Sequence, residues 1–179
     1  MASDTLPFEI LLLSPCLLPG QTSFKESKAS VKVERKEGET ILFFNIDDQS
    51  NPDCRLREFL WGTETGQQIC DLIVFYATES ERVICFVELK DNIRDLGHAT
   101  DQVINTYNSF KLHLKSSYKP KAFIYGFAGS VPHEHQEYQK KLSKVFDNFD
   151  WGRKSNNDLG NILRGIPPTI GGGKNNKKK

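Results

Sequence analysis

Cys70 to Lys90 reads CDLIVFYATESERVICFVELK. Two runs rich in β-branched and aromatic residues, Leu72 to Tyr76 and Val83 to Val87, flank the polar segment Ala77 to Arg82, the pattern of an antiparallel hairpin. A turn centred on Glu79-Ser80 pairs residues whose numbers sum to 159, which sets Asp71 directly opposite Glu88. Opposed residues share a face, and two steps along a strand return to it, so Asp71, Glu88 and Lys90 are expected on one side. Ile73, Phe75, Ile84 and Phe86 fall on one face of the hairpin; Leu72, Val74, Tyr76, Val83 and Val87 fall on the other. Apolar residues on both faces mark central strands covered on both sides.

Three charged groups at the end of such a pair are costly unless something compensates them. Two carboxylates repel at close range and become good hard-oxygen ligands around Mg²⁺ or Mn²⁺. A neighbouring lysine can then stabilise charge developing at phosphorus without binding the ion.

Asp71, sixteen intervening residues, then Glu88-Leu89-Lys90 resembles the D…(D/E)xK signature of the PD-(D/E)XK nuclease superfamily. The family's preceding proline is replaced by Cys70. The resemblance implies an α/β fold with a restriction-endonuclease-like βββαβ core, a mixed sheet flanked by helices. It implies Mg²⁺ or Mn²⁺ on Asp71 and Glu88, with the Leu89 carbonyl as a further ligand and Lys90 beside the attacking hydroxide. An additional acidic residue on a short first helix falls to Glu58, or else to Glu64. Gln102, twelve residues after Lys90, matches a glutamine that faces the metal site in some branches; the tyrosine four residues beyond it is displaced, Tyr107 standing five after.

The order of elements agrees with that core. Val31 to Glu34 and Glu39 to Asp47 read as strands with Lys36-Glu37-Gly38 as the turn between them, while Thr22 to Ser30 is a short helix or a loop. Arg55 to Trp61 is a short helix or irregular. Ile93, Leu96, Thr100, Val103, Tyr107, Phe110 and Leu114 recur at spacings of three and four, one apolar stripe on a helix from Asp91 to Ser117. Lys121 to Gly129 reads as a strand and Pro132 to Phe146 as a second helix. The strand after the long helix returns parallel, through a right-handed crossover. The core thus spans residues 39–146 of one domain, 1–165, and a disordered basic tail follows over 166–179.

The chain of 179 residues has a net charge of only +1, but unevenly spread. Residues 1–110 hold 10 Lys and Arg against 18 Asp and Glu; residues 111–179 hold 14 against 5. An acidic metal-binding half therefore adjoins a basic half suited to phosphates, with Lys111, Lys115, Lys119, Lys140, Lys141 and Lys144 as the expected nucleic-acid contacts. Four cysteines without ligand spacing suggest buried thiols of a reducing cytosol. The apolar run Phe8 to Leu18 lacks a basic flank and is too short to span a bilayer, so it reads as part of the fold. No phosphate-binding glycine loop, dinucleotide fingerprint or recognisable Ser or Cys nucleophile competes. His133 and His135 stand two apart on the second helix and so cannot share an ion; His98, with Asp95, lies along the edge of the first.

The expected activity is metal-dependent hydrolysis of phosphodiester bonds in DNA, in a restriction or phage-defence setting, by a homodimer or with a partner subunit that supplies specificity. The rival is a noncatalytic domain of the same fold that binds nucleic acid or protein.

Overall fold

The computed structural model describes residues 15–48, 50–51, 53–62, 64, 66–91, 93–126, 132–152 and 157–166; most of the Phe8 to Leu18 run and nearly all of the basic tail lie outside them. The strands are β1 (Leu17–Leu18), β2 (Ser23–Glu26), β3 (Ala29–Lys32), β4 (Thr40–Asn45), β5 (Leu72–Ala77), β6 (Arg82–Leu89), β7 (Lys119–Tyr125) and β8 (Asn148–Gly152). The helices are α1 (Arg55–Trp61), α2 (Leu96–Phe110), α3 (Pro132–Ser143) and α4 (Gly160–Leu163).

A six-stranded sheet runs β1-β4-β5-β6-β7-β8, and β2-β3 form a separate hairpin. The first four strands pair antiparallel, while β6-β7 and β7-β8 pair parallel. The result is a mixed α/β sheet flanked by helices. Every rung of β5-β6, from Leu72↔Val87 to Ala77↔Arg82, sums to 159, the expected register. Thr78 N–H donates to Glu81 O at 2.8 Å and closes the turn between them.

Strand alternation sends the two apolar sets into two cores. Ile73, Ile84 and Phe86 pack with Leu96, Val103 and Phe110 of α2 and with Leu142 and Phe146 at the end of α3. Phe86 sits among Tyr107, Phe110 and Phe146, with ring centroids 5.6, 6.0 and 6.1 Å away. Leu72, Val74, Val83, Cys85 and Val87 pack on the other face against Ala29 and Val31 of the hairpin and Leu159, Ile162 and Leu163 around α4. All four cysteines are buried, and none is in a disulfide. Among the described residues, no helix is long and apolar enough to cross a membrane.

Local pattern failed where long-range packing decides. Thr22 to Ser30 is neither helix nor loop but most of the β2-β3 hairpin, and Lys36-Glu37-Gly38 joins strands that belong to different sheets. Phe24, Ala29 and Val31 are the only apolar residues that turn inward there, too few to show a period. The long helix stops at Phe110, followed by a tight turn in which His113 N–H donates to Phe110 O at 2.9 Å. Asn108, Ser109 and His113 are weak helix formers, and past Phe110 the stripe keeps only Leu114, which is partly buried against the core. The next strand begins two residues early, at Lys119, and α3 ends at Ser143, three before the expected Phe146. Strand β8 and helix α4 had no sequence signal.

Candidate active site at the carboxyl end of strand β6

Asp71 precedes β5 and Glu88 is the penultimate residue of β6, one rung beyond Leu72↔Val87. The in-register opposition becomes direct bonding. Asp71 N–H donates to Glu88 Oε2 at 3.1 Å, and Leu89 N–H donates to Asp71 Oδ2 at 2.7 Å. Each acid thus accepts a backbone donor from the other's strand. Lys90 N–H donates to Tyr125 O at 2.8 Å, which carries the parallel pairing with β7 past the end of β6. Its ammonium lies 2.5 Å from Glu88 Oε1.

Burial makes this a high-energy cluster. Asp71 is 3% exposed and Glu88 fully buried. Burial, then repulsion by Glu88 and Glu26, pushes the Asp71 carboxyl well above the ordinary range. Burial also raises Glu88, against the pull of Lys90. Burial works to lower the Lys90 ammonium, but the Glu88 and Asp71 carboxylates outweigh it and its pKa rises. Glu88 Oε1 has no donor other than that ammonium among the described residues, so a buried oxygen depends on one partly buried lysine.

Helix α2 sets the entry to β5. Gln102, 6% exposed, donates from Nε2 to Ile69 O at 2.9 Å, and Thr106 Oγ1 accepts the N–H of Cys70 at 2.8 Å. Gln102 is thus neither solvent-facing nor, among the described residues, hydrogen-bonded to the acids; it holds the segment just before Asp71. Its Oε1 is buried without a hydrogen-bond partner among the described residues. Leu89 is buried, with its N–H committed to Asp71.

Glu58 on α1 and Glu64 are both exposed, and Glu64 accepts Gln67 Nε2 at 2.6 Å. The carboxyl within hydrogen-bonding reach of Asp71 is instead Glu26, at the end of β2. Its charge also acts on Glu88, Lys90 and Asp47. Burial, with Glu26 close by, raises the Asp47 carboxyl in turn. Sequence reasoning missed Glu26 because it lies 45 positions before Asp71 in a stretch without periodicity; no local signal marks it. No group of three or more His, Cys, Asp or Glu among the described residues is arranged to hold a metal ion on its own.

The expected phosphate contacts are scattered. Lys119 pairs with Val83 while Ile124 pairs with Glu88, so Lys119 lies five rungs, about 17 Å, from the acid pair. It is bound to Glu81 at 2.9 Å, and Lys115 belongs to the turn leading into it. Lys111 reaches Asn108 Oδ1 at 3.0 Å, Lys141 pairs with Asp101 at 3.1 Å, and Lys140 and Lys144 are exposed. Asp95 and His98 are also exposed; the side chains of His133 and His135 lie outside the described residues.

No family model matches the chain, and no curated protein or solved structure matches it either.

Proposed function

We propose that the chain is a metal-dependent nuclease that hydrolyses phosphodiester bonds of DNA, built on a restriction-endonuclease-like core formed by β4, β5, β6, α2 and β7. The observation that carries this reading is the buried, in-register Asp71–Glu88 pair with Lys90 against it. Apolar burial would not select such a cluster, and its desolvation cost is offset when a cation is shared.

The donor set fits Mg²⁺ or Mn²⁺. All its groups are hard oxygens, and Mg²⁺ needs only one or two protein carboxylates when water and substrate phosphate complete its shell. Asp71 and Glu88 would hold the ion, with the Leu89 carbonyl beside them and Glu26 as an acid at the rim. When bound, the ion supplies Lewis acidity toward a phosphoryl oxygen and lowers the pKa of water. Lys90, anchored on Glu88, directs positive charge at the oxygens that become more negative as the bond to phosphorus breaks. Gln102 and Thr106 keep Asp71 in register by fixing Ile69 and Cys70.

The test is cleavage of supercoiled plasmid with Mg²⁺, with Mn²⁺ and with EDTA, with the Glu88→Ala/Lys90→Ala variant in parallel. Metal-dependent nicking by the native chain, absent from the variant, is the expected result; equal activity in both would falsify the assignment.

One observation favours a second reading, a noncatalytic binding domain. The two acids already satisfy each other's backbone donors, which suffices for a purely structural brace. Calorimetry with Mn²⁺ separates the two, because the nuclease reading alone requires binding heat that Glu88→Gln removes.

A further inference from the structure

The β2-β3 hairpin sorts its side chains by strand alternation. Phe24 and Glu26 pair with Val31 and Ala29, both fully buried, so this face is turned to the sheet and Glu26, beside the turn, comes within reach of Asp71. The opposite face carries Lys25, paired with Ser30, and Lys32, paired with Ser23; Lys28 occupies the turn. All three lysines are exposed, and none forms an ion pair among the described residues.

The hairpin is fastened beside the motif. Lys28 N–H donates to Asp91 Oδ1 at 3.1 Å, one residue beyond Lys90. At its other end, Lys32 N–H donates to Asn157 O at 3.0 Å and Lys32 O accepts Leu159 N–H at 2.8 Å. A groove lined by Phe24, Lys25, Glu26, Asn45, Asp47 and Asp48 opens between the hairpin and the end of β4.

We propose that this hairpin is the surface that holds a DNA strand against the acid pair, with backbone phosphates on Lys25 and Lys28. The inference rests on the nuclease reading and adds where its substrate lies. A phosphate approaching Asp71, Glu88, Glu26, Asp47 and Asp48 meets five acidic groups, and Lys90 is already committed to Glu88. Attraction must come from unpaired cations within about 10 Å, since charges farther off are screened. Lys25 lines the groove beside Glu26, and Lys28 is tied to Asp91; Lys119 is about 17 Å away and paired. Phe24, partly buried against the second core, lines the same groove.

The experiment measures binding of fluorescein-labelled DNA, as a single strand and as a duplex, between about 50 and 200 mM salt, with Ca²⁺ replacing Mg²⁺ to prevent cleavage. Lys25→Gln/Lys28→Gln is compared with Lys115→Gln/Lys119→Gln. Each lost phosphate contact lowers the salt slope by about 1, so the hairpin variant should lose about 2 and the distant variant almost nothing. The opposite pattern, or native protein that shows no salt-dependent binding, overturns the proposal. Mn²⁺ calorimetry on the same preparations tells the two failures apart. Absent heat in the native chain sinks the metal-site reading, whereas native heat with an unchanged slope in the hairpin variant sinks only the hairpin surface.

Discussion

Thr106 accepts the backbone N–H of Cys70 at 2.8 Å, so the helix that covers one face of the sheet grips the chain one residue before Asp71. The same hydroxyl donates to Gln102 O at 2.8 Å, four residues back on its own helix. The position of the acid pair therefore depends on a polar contact made from α2, as well as on the strand ladder.

Thr106→Val keeps the shape of the side chain and removes the acceptor. A buried N–H left unpaired costs about 1 to 3 kcal/mol, and Thr106→Ser should recover most of it. Urea unfolding of the two variants checks this. Equal loss in both would mean that the methyl group, not the hydroxyl, matters at this position.

Lys90→Met leaves Glu88 fully buried without its cation. Breaking a buried pair from one side costs about 3 to 5 kcal/mol, so the variant should melt well below the native chain in EDTA. A divalent ion taken up by Asp71 and Glu88 would restore part of the loss by binding only the folded state. Thermal unfolding with and without millimolar Mn²⁺ reads this directly. The expected shift is larger for Lys90→Met than for the native chain, and identical melting with and without Mn²⁺ would argue for a structural pair.

What the sequence disclosed followed how far apart the interacting residues lie. The β5-β6 register was legible because a polar turn between two apolar runs leaves one pairing that buries both faces. The parallel return of β7 followed from the long helix before it. Glu26 was not legible, because its place beside Asp71 comes from packing the hairpin across the second core, which no neighbouring residue announces. Gln102 stood off the apolar stripe and read equally well as solvent-facing; only the position of Ile69 O explains its burial. The lysines are a related case. Charge along the chain shows how many cations exist, and the topology decides which end of the sheet they occupy.

Lys121 is 2% exposed on β7, and its ammonium donates to Ile162 O at 2.8 Å and Leu163 O at 3.1 Å, capping the end of α4. Burial lowers its pKa, since the charged form is the one desolvated. Lys121→Met keeps much of the apolar stem and loses both bonds, so a destabilisation of about 1 to 3 kcal/mol is expected, and more for Lys121→Ala, which also leaves a cavity. Chemical denaturation of both gives the comparison. A stability gain in Lys121→Met would mean that desolvating the ammonium outweighs its two bonds.

Glu39 and Arg164 tie the start of β4 to the end of α4. The guanidinium donates from Nε to Oε1 at 2.7 Å and from Nη2 to Oε2 at 2.9 Å, while Tyr76 and the N–H of Lys36 donate to the same carboxylate. Hydrogen bonding by Arg164 chiefly holds the Glu39 carboxyl down at about 2, from an ordinary 4.5. Because the folded value lies below the unfolded one, this stabilisation is fully present above about pH 4.5 and is lost as pH falls toward about 2. With the side chains only 13% and 6% exposed, about 2 to 3 kcal/mol of acid sensitivity belongs to the Glu39 carboxylate and its donors, Arg164 foremost. Arg164→Met should therefore lower stability near neutrality and flatten its decline in acid. Urea midpoints across that pH window decide the matter: parallel curves for the native chain and the variant would assign the acid loss to other carboxylates.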